Sequence, residues 1–330
     1  MHVISNVQKC VFIIFKPLIV TLSNMLLTIL LLIFTVVVVP LVSFYFGTSL
    51  TLEQTEILYT MGYVLAGMIV YCFVVGEITN NNSQIDKLWS IIPLGYAWGM
   101  TYLGGWNERM ILMSVLVTIW GARLTFNFAR KGGYKWPIWA GEEDYRWEIL
   151  RKKPGFNNRF VWMLFNLFFI SAYQGTLIFL FTLPILTSLS ENAVPLYWGD
   201  YLLAVLFVGF VVLEFIADQQ QHVFQKEKRK RIEHNLPMEE YGKGFISTGL
   251  WAYSRHPNYL SEQSIWVVFY LFSVVATGEW INWSVAGCLL LIILFKGSSD
   301  FSESISAGKY PEYKNYIVNV PRFIPFLKRK

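Results

Sequence analysis

Charge is what this chain lacks most: Asp, Glu, Lys and Arg make up 15% of its 330 residues, against about 25% in an ordinary soluble domain. That shortfall excludes a mainly water-facing surface. Apolar residues reach 55%, and several runs are nearly free of charge. Each is long enough, at about 20 residues, to carry a helix across a hydrocarbon core about 30 Å thick. Cysteine is scarce too. Cys10, Cys72 and Cys288 lie far apart in apolar segments with no CxxC spacing, which excludes a disulfide framework and a zinc centre and leaves packing as their role. Repeats, low-complexity tracts and the alternating strands of a membrane barrel are also missing. Lipid leaves the backbone only helices or a closed barrel, so the expected class is an all-α polytopic transmembrane protein.

The net charge is +5, but the basic residues fall in short clusters between apolar runs, as the positive-inside rule places them. The lipid bilayer is therefore the expected partner, and nucleic acid is not. Lys9, Lys16 and Pro17 precede an apolar run from Leu18 to Phe46, longer than the roughly 7–15 residues of a cleavable signal core. It reads as a retained first crossing.

Eight crossings are expected, at roughly 18–46, 57–76, 86–106, 110–129, 160–188, 197–224, 259–278 and 280–298. Trp106, Trp198, Trp280 and Trp283 sit near their ends, where aromatic belts belong. Lys and Arg number two before the first crossing, one at Lys87, eight in 130–159, seven in 225–258 and seven in 296–330. Only Arg109 falls on the other side, and Arg123 is left inside a crossing. Both termini are accordingly expected in the cytosol. Asn81-Asn82-Ser83 is a glycosylation sequon, which this map keeps cytosolic and bare.

Three stretches on that side are too polar for plain connectors. RKGGYKWPIWAGEEDYRW (130–147) interleaves aromatic residues with both charges. It reads either as an interfacial loop, with Trp136, Trp139, Tyr145 and Trp147 among headgroups, or as a pocket wall. Glu142, Glu143 and Asp144 favour the second, pairing with Arg130 or Arg146, because acids gain nothing at an anionic surface. A second stretch runs from Asp218 to Lys243. Asp218 closes a long apolar run, and an acid at the membrane edge calls for a nearby partner; Glu227 to Arg231 read as a solvated helix end.

The third stretch is WAYSRHPNYLSE (251–262), followed by IWVVFYLFSVVAT. Pro257 fits the first turn of a helix, where its missing N–H costs nothing. A helix starting there turns its free amides toward the cytosol as an anion site, and Arg255 adds a fork suited to phosphate. Asn258, Glu262 and Trp266 then share one face, and a carboxylate exposed to lipid at Glu262 would cost about 3 kcal/mol. A structural pair between Arg255 and Glu262 is the bland alternative, and it leaves His256, Asn258 and Tyr259 unexplained.

SRHPNYLSE (254–262) after GLWAY (249–253), with Asp218 upstream and KYPEYKNYIVNVPRFIP (309–325) at the end, resembles the steroid 5-alpha-reductase-like membrane oxidoreductases. IDKLWS (85–90), RLTFNFAR (123–130) and EEDYRW (142–147) resemble a short, sparsely characterised branch of them. The resemblance divides the chain into amino-terminal transmembrane helices (1–84), a steroid-reductase-like transmembrane domain (85–325) whose cofactor-binding part is about 197–325, and a basic tail (326–330). It implies NADPH in a cavity open to the cytosol, held by Asp218, Arg255, His256, Asn258, Tyr259, Glu262, Trp266 and Tyr310. Asn258 and Glu262 would reach the nicotinamide side, Arg255 the phosphates and Asp218 the adenosine end. Where steroid-reducing members carry His and Tyr before the terminal signature, this chain reads SSDFSES (298–304), so those contacts do not carry over. The resemblance does not assign which of Lys226, Arg229 or Arg231 would bind phosphate.

The implied reaction is hydride transfer from NADPH to a carbon–carbon double bond conjugated to a carbonyl in a hydrophobic steroid, sterol or other lipid. Candidate polarising donors are Tyr96, Asp86 and Glu143, although Asp86 also reads as a partner of Lys87 or a helix cap. The chain also resembles the isoprenylcysteine carboxyl methyltransferases. They share an Arg-His-Pro-x-Tyr run and a Tyr-x-x-Tyr ending, matched here by Tyr313 and Tyr316, which implies S-adenosylmethionine as the alternative cofactor. A non-catalytic lipid-binding protein is a third reading. A carrier is disfavoured because the polar residues gather at one side rather than at the midplane. The expected location is the endoplasmic reticulum in a eukaryote or the inner membrane in a bacterium.

Overall fold

The first long helix starts where its sequence can satisfy its own free amides. Thr51 accepts from the Gln54 N–H at 3.1 Å, and the Gln54 side chain accepts from the Thr51 N–H at 2.9 Å, a reciprocal cap. In this computed structural model the residues described are 30, 33–46 and 48–326. All regular structure among them is helical: after a π-helical stretch (Phe34–Val38) come α1 (Val39–Phe46), α2 (Leu52–Thr79), α3 (Gln84–Leu88), α4 (Ile92–Leu103), α5 (Glu108–Ala129) and α6 (Tyr145–Arg151). Next, α7 (Arg159–Phe165), a π-helical stretch (Asn166–Tyr173), α8 (Gln174–Thr182) and a 3-10 segment (Leu183–Leu189) form one continuous rod. The chain ends with α9 (Trp198–Glu233), α10 (Pro257–Thr277), α11 (Val285–Lys309) and α12 (Tyr313–Asn319).

Six helices among the described residues are long and apolar enough to span a membrane: α2, α5, the Arg159–Leu189 rod, α9, α10 and α11. They match six of the eight expected spans. Of the expected 18–46 crossing, residues 30 and 33–46 are described, and the π-helical stretch and α1 occupy 34–46. The expected 86–106 crossing is divided. Pro93 stands in the first turn of α4, where a ring without an N–H restarts a helix rather than continuing one, so α3 has 5 residues and α4 has 12. At about 1.5 Å per residue, α4 reaches only ~18 Å.

Outward-facing apolar side chains fit a lipid surrounding. On α9, Leu202, Val205, Val212 and Phe215 are exposed, while Phe207 and Val211 are buried. This helix has 36 residues, about 54 Å at ~1.5 Å each, so it outruns the hydrocarbon core. Its last turns, with Lys226 to Arg231, extend beyond the apolar stretch, and Asp218 lies at the changeover. The most extensive helix pairing is α9 with α10, and α5 lies against α9. Trp120 and Trp266 meet edge to face at 4.9 Å, and Phe181 covers Trp266 at 3.9 Å. These aromatic residues, with Phe207 and Phe269, form the floor on which the polar residues of the same helices converge.

Candidate functional site

Three helices each present polar residues at helical spacing, and the stripes meet. Helix α5 brings Trp120, Arg123 and Asn127, α9 brings Glu214 and Asp218, and α10 brings Asn258, Glu262 and Trp266. At their junction Arg123 Nη1 lies 2.9 Å from Glu214 Oε1 and 2.9 Å from Asp218 Oδ2, while Nη2 lies 3.5 Å from Glu262 Oε2. Arg123 is 8% exposed, and the three acids are similarly buried. Glu262 is also held by two indole N–H groups, Trp120 at 2.8 Å and Trp266 at 3.1 Å. It faces protein rather than acyl chains, and its partner is Arg123, not Arg255. Three carboxylates share one guanidinium, so the junction holds more acid than base, in surroundings where uncompensated charge is costly.

Asp218 has the partner its position required. Asn127 Nδ2 donates to it at 2.8 Å and Asn258 Nδ2 at 3.4 Å. The Asn258 bond bridges α9 and α10 at this level. The junction leaves orphans: Asn258 Oδ1, Glu214 Oε2 and Arg123 Nε are buried without a partner, and such groups are uncommon in native proteins.

Arg255 is differently employed from its expected phosphate-binding part. It is 1% exposed, and its fork closes on Glu303, Nε to Oε1 at 2.8 Å and Nη2 to Oε2 at 3.2 Å. Nη1 donates to the carbonyls of Ile317, at 2.9 Å, and Val320. The fork is thus spent inside the protein. His256 Nε2 lies 2.9 Å from the same Glu303 oxygen, and its ring stacks on Tyr259 at 5.1 Å. The backbone N–H groups of Arg255 and His256 donate to the carbonyls of Pro321 and Arg322. Glu303, unremarked within SSDFSES, is the hub that fastens the mouth of α10 to the carboxyl-terminal segment.

Tyr310 belongs to the same end of the bundle. Lys228 Nζ donates to its hydroxyl at 3.0 Å and to the Gly244 carbonyl at 2.8 Å. Burial pushes the Tyr310 hydroxyl up, but the Lys228 ammonium outweighs it and leaves the group below its ordinary value. Arg231 is taken by Glu227, whereas Lys226 and Arg229 have no partner among the described residues. Gly249, at φ +60, brings its backbone so close to α9 that a Cβ would lie 2.6 Å from the Gln220 amide. Only glycine fits there without a shift, and Gln220 Oε1 accepts from the next amide, Leu250, at 3.0 Å.

The 130–147 loop closes over this end. Arg130 reaches Gln219 on α9 at 2.6 Å and Asn127 at 2.7 Å. The acids of the loop pair locally: Glu142 with Lys135, Asp144 with Arg146, and Glu143 with Arg151. Lys131 is exposed and unpaired among the described residues, yet desolvation by its surroundings lowers its amine despite the pull of Asp218.

The candidate donors divide. Glu143 is committed to Arg151 and to the Asn82 N–H at 2.7 Å. Asp86 accepts from Trp147 Nε1 at 3.2 Å and does not pair with Lys87, which donates to the Trp139 carbonyl at 2.7 Å. Tyr96 is fully buried, with an unpartnered hydroxyl. Its ring meets Phe179 at 5.2 Å, two residues before the Phe181 that covers Trp266. Sequence reasoning passed over Trp120, Glu214, Lys228 and Glu303. A lone arginine within an apolar crossing was the available signal for Arg123.

Fold and junction define the class: a polytopic helical membrane protein with a cluster of buried polar side chains where α5, α9 and α10 meet. A family model described as Protein of unknown function (DUF1295) matches residues 72–320, and the chain belongs to that steroid 5-alpha-reductase-like family. It is 35% identical over 296 residues to Uncharacterized protein C594.04c of Schizosaccharomyces pombe, covering 86% of this chain and 82% of that one. No solved structure matches it.

Proposed function

We propose that the chain is a membrane-embedded NADPH-dependent reductase of a short branch of this family, acting on a carbon–carbon double bond of a hydrophobic lipid. The observation that carries the reading is the Asp218–Asn258–Glu262 array, cross-linked by Arg123 and still holding an unpartnered acceptor at Asn258 Oδ1. A nicotinamide carboxamide offers the N–H that this acceptor lacks, and Lys131 supplies an unpaired cation for phosphate. On this chemistry the residues fit the dinucleotide. NADPH supplies a hydride when bound.

In this reading the protein positions and shields. Asn258 and Asp218 orient the dinucleotide, and Glu262, fixed by two indoles, shares the inner face of α10 with Asn258. Arg255, His256 and Glu303 brace the mouth of that helix rather than touch the ligand. Trp120, Trp266 and Phe181 exclude water from the reacting carbons. The Tyr96 hydroxyl, with no other partner, donates a hydrogen bond to the carbonyl oxygen as negative charge develops there. Substrate enters from the bilayer, and the polar end faces the cytosol with both termini. The endoplasmic reticulum in a eukaryote, or the inner membrane in a bacterium, is the matching location.

The test is a titration of purified protein in detergent with NADPH and, separately, with S-adenosylmethionine. Saturable NADPH binding that weakens at least tenfold in Asn258→Ala supports the reading. Binding of the methyl donor with none of NADPH overturns it in favour of a methyltransferase. Binding of neither leaves the lipid-binding, non-catalytic alternative.

A further inference from the structure

A cavity of about 360 Å³ lies apart from the polar junction, lined by Gly76, Glu77 and Asn80 of α2 and its cap, Asn82, Arg151 at the end of α6, Phe156 and Asn157, and Arg159 and Trp162 of α7. Its size falls in the range of about 300–1,000 Å³ typical of small-molecule sites. Both framing helices enter their apolar stretches here, so the cavity lies at the membrane boundary. Outward apolar side chains, Val70, Val74 and Ile78 on α2 and Phe160, Leu164 and Phe168 on α7 and its continuation, are exposed one turn apart from this level inward. An acyl chain finds its surroundings on that surface, and a headgroup finds the cavity.

The walls are chemically divided. Arg151 is spent: its fork closes on Glu143, donates to Asn82 Oδ1 at 2.6 Å and lies 4.9 Å over the Trp162 ring. Arg159 has no ion pair or hydrogen-bonded side-chain partner among the described residues, and Asn80 and Asn157 have none either. Glu77 accepts from Asn166 Nδ2 at 2.8 Å and meets no basic side chain among the described residues. The cavity thus offers one free cation, one carboxylate without a counter-charge and two free amides. Gly76 keeps the floor open, since a Cβ there would stand 3.2 Å from the Asn82 amide and 3.3 Å from that of Asn166.

We propose that this cavity binds the headgroup of a zwitterionic phospholipid bearing a primary ammonium, with Arg159 on the phosphodiester and Glu77 on the ammonium. A forked guanidinium suits phosphate oxygens, and a carboxylate already fixed by one amide accepts from an N–H that a quaternary ammonium lacks. The Trp162 face, the natural seat for a quaternary ammonium, is occupied by Arg151. The site therefore selects phosphatidylethanolamine over phosphatidylcholine. The inference does not depend on the reductase reading.

The experiment reconstitutes the full chain in nanodiscs containing equal phosphatidylethanolamine and phosphatidylcholine, then counts lipids retained after extraction by native mass spectrometry. Wild type is expected to keep one phosphatidylethanolamine. Arg159→Ala, at an exposed and unpaired position, should lower retention of both lipids at least tenfold. Glu77→Gln, which still accepts from Asn166, should keep a lipid but lose the preference. Equal retention of the two lipids by wild type, or retention unaffected by Arg159→Ala, overturns the proposal. Displacement of the lipid by inorganic phosphate at matched concentration overturns it too, and reassigns the cavity to a free anion.

Discussion

Arg255 and Glu303 stand 48 residues apart and meet as a closed fork, at 2.8 and 3.2 Å, with both side chains buried. The same carboxylate receives His256 at 2.9 Å and Arg322 at 3.3 Å. Removing its charge strands the Arg255 guanidinium, while Arg322 keeps its second carboxylate, Asp300, and breaking a buried pair from one side typically costs about 3–5 kcal/mol. Glu303→Gln should therefore lower the thermal unfolding temperature in detergent and open the 310–326 segment to protease. An unchanged cleavage pattern would mean that the fork does not hold that segment in place.

At the other junction, Arg123 is the one cation among the described residues that forms ion pairs with Glu214, Asp218 and Glu262. Arg123→Met leaves three acids facing one another and should destabilise by about 3–5 kcal/mol. Glu214→Gln added to that variant should recover part of the loss, because it removes one acid from the crowd. Unfolding of the single and double variants measures the coupling. Additive losses would show that Glu214 and Arg123 act separately.

Much of the junction was legible because local rules set it. Pro257 does open a helix, Asn258, Glu262 and Trp266 do share its inner face, and Asp218 does have a buried cation. What escaped depends on distance along the chain. Glu303 is unremarkable among serines until a turn 48 residues away is folded against it, and Glu214 reads as one acid in an apolar run. Arg255 looked like a phosphate ligand because an isolated guanidinium carries no mark of whether its fork is already filled. The divided 86–106 segment had its local sign in Pro93, but hydropathy averaged over a long window conceals a single ring.

Asp86 tests the electrostatics of the membrane edge. Burial raises its carboxyl above the ordinary 3.8, and Asp144 adds to the rise, against the pull of Arg146. An acid whose folded pKa is raised contributes its stability at low pH and loses it as pH climbs through the folded value. Asp86→Asn keeps an acceptor for Trp147 and cannot ionise. Relative to wild type it should be neutral near pH 4 and stabilising near pH 8, by about 1 kcal/mol, or ~2–4 °C in Tm. A pH-independent difference between the two melting curves would refute burial as the cause.

Tyr96 separates a structural from a chemical role within one residue. Its ring is fully buried against Phe179, so the ring packs, but its hydroxyl has no partner. An unsatisfied buried hydroxyl costs about 1–3 kcal/mol, so Tyr96→Phe, which keeps the ring and deletes the oxygen, should hold or raise Tm. If the hydroxyl donates to the substrate carbonyl as charge develops, the same variant should cut turnover by about 10²–10⁴. NADPH binding should remain at the wild-type level, because the dinucleotide is assigned to Asn258 and Asp218 instead. Stability and catalysis then move in opposite directions, which a merely structural tyrosine does not produce. Loss of Tm together with NADPH binding would place Tyr96 in the scaffold and exclude it as the donor.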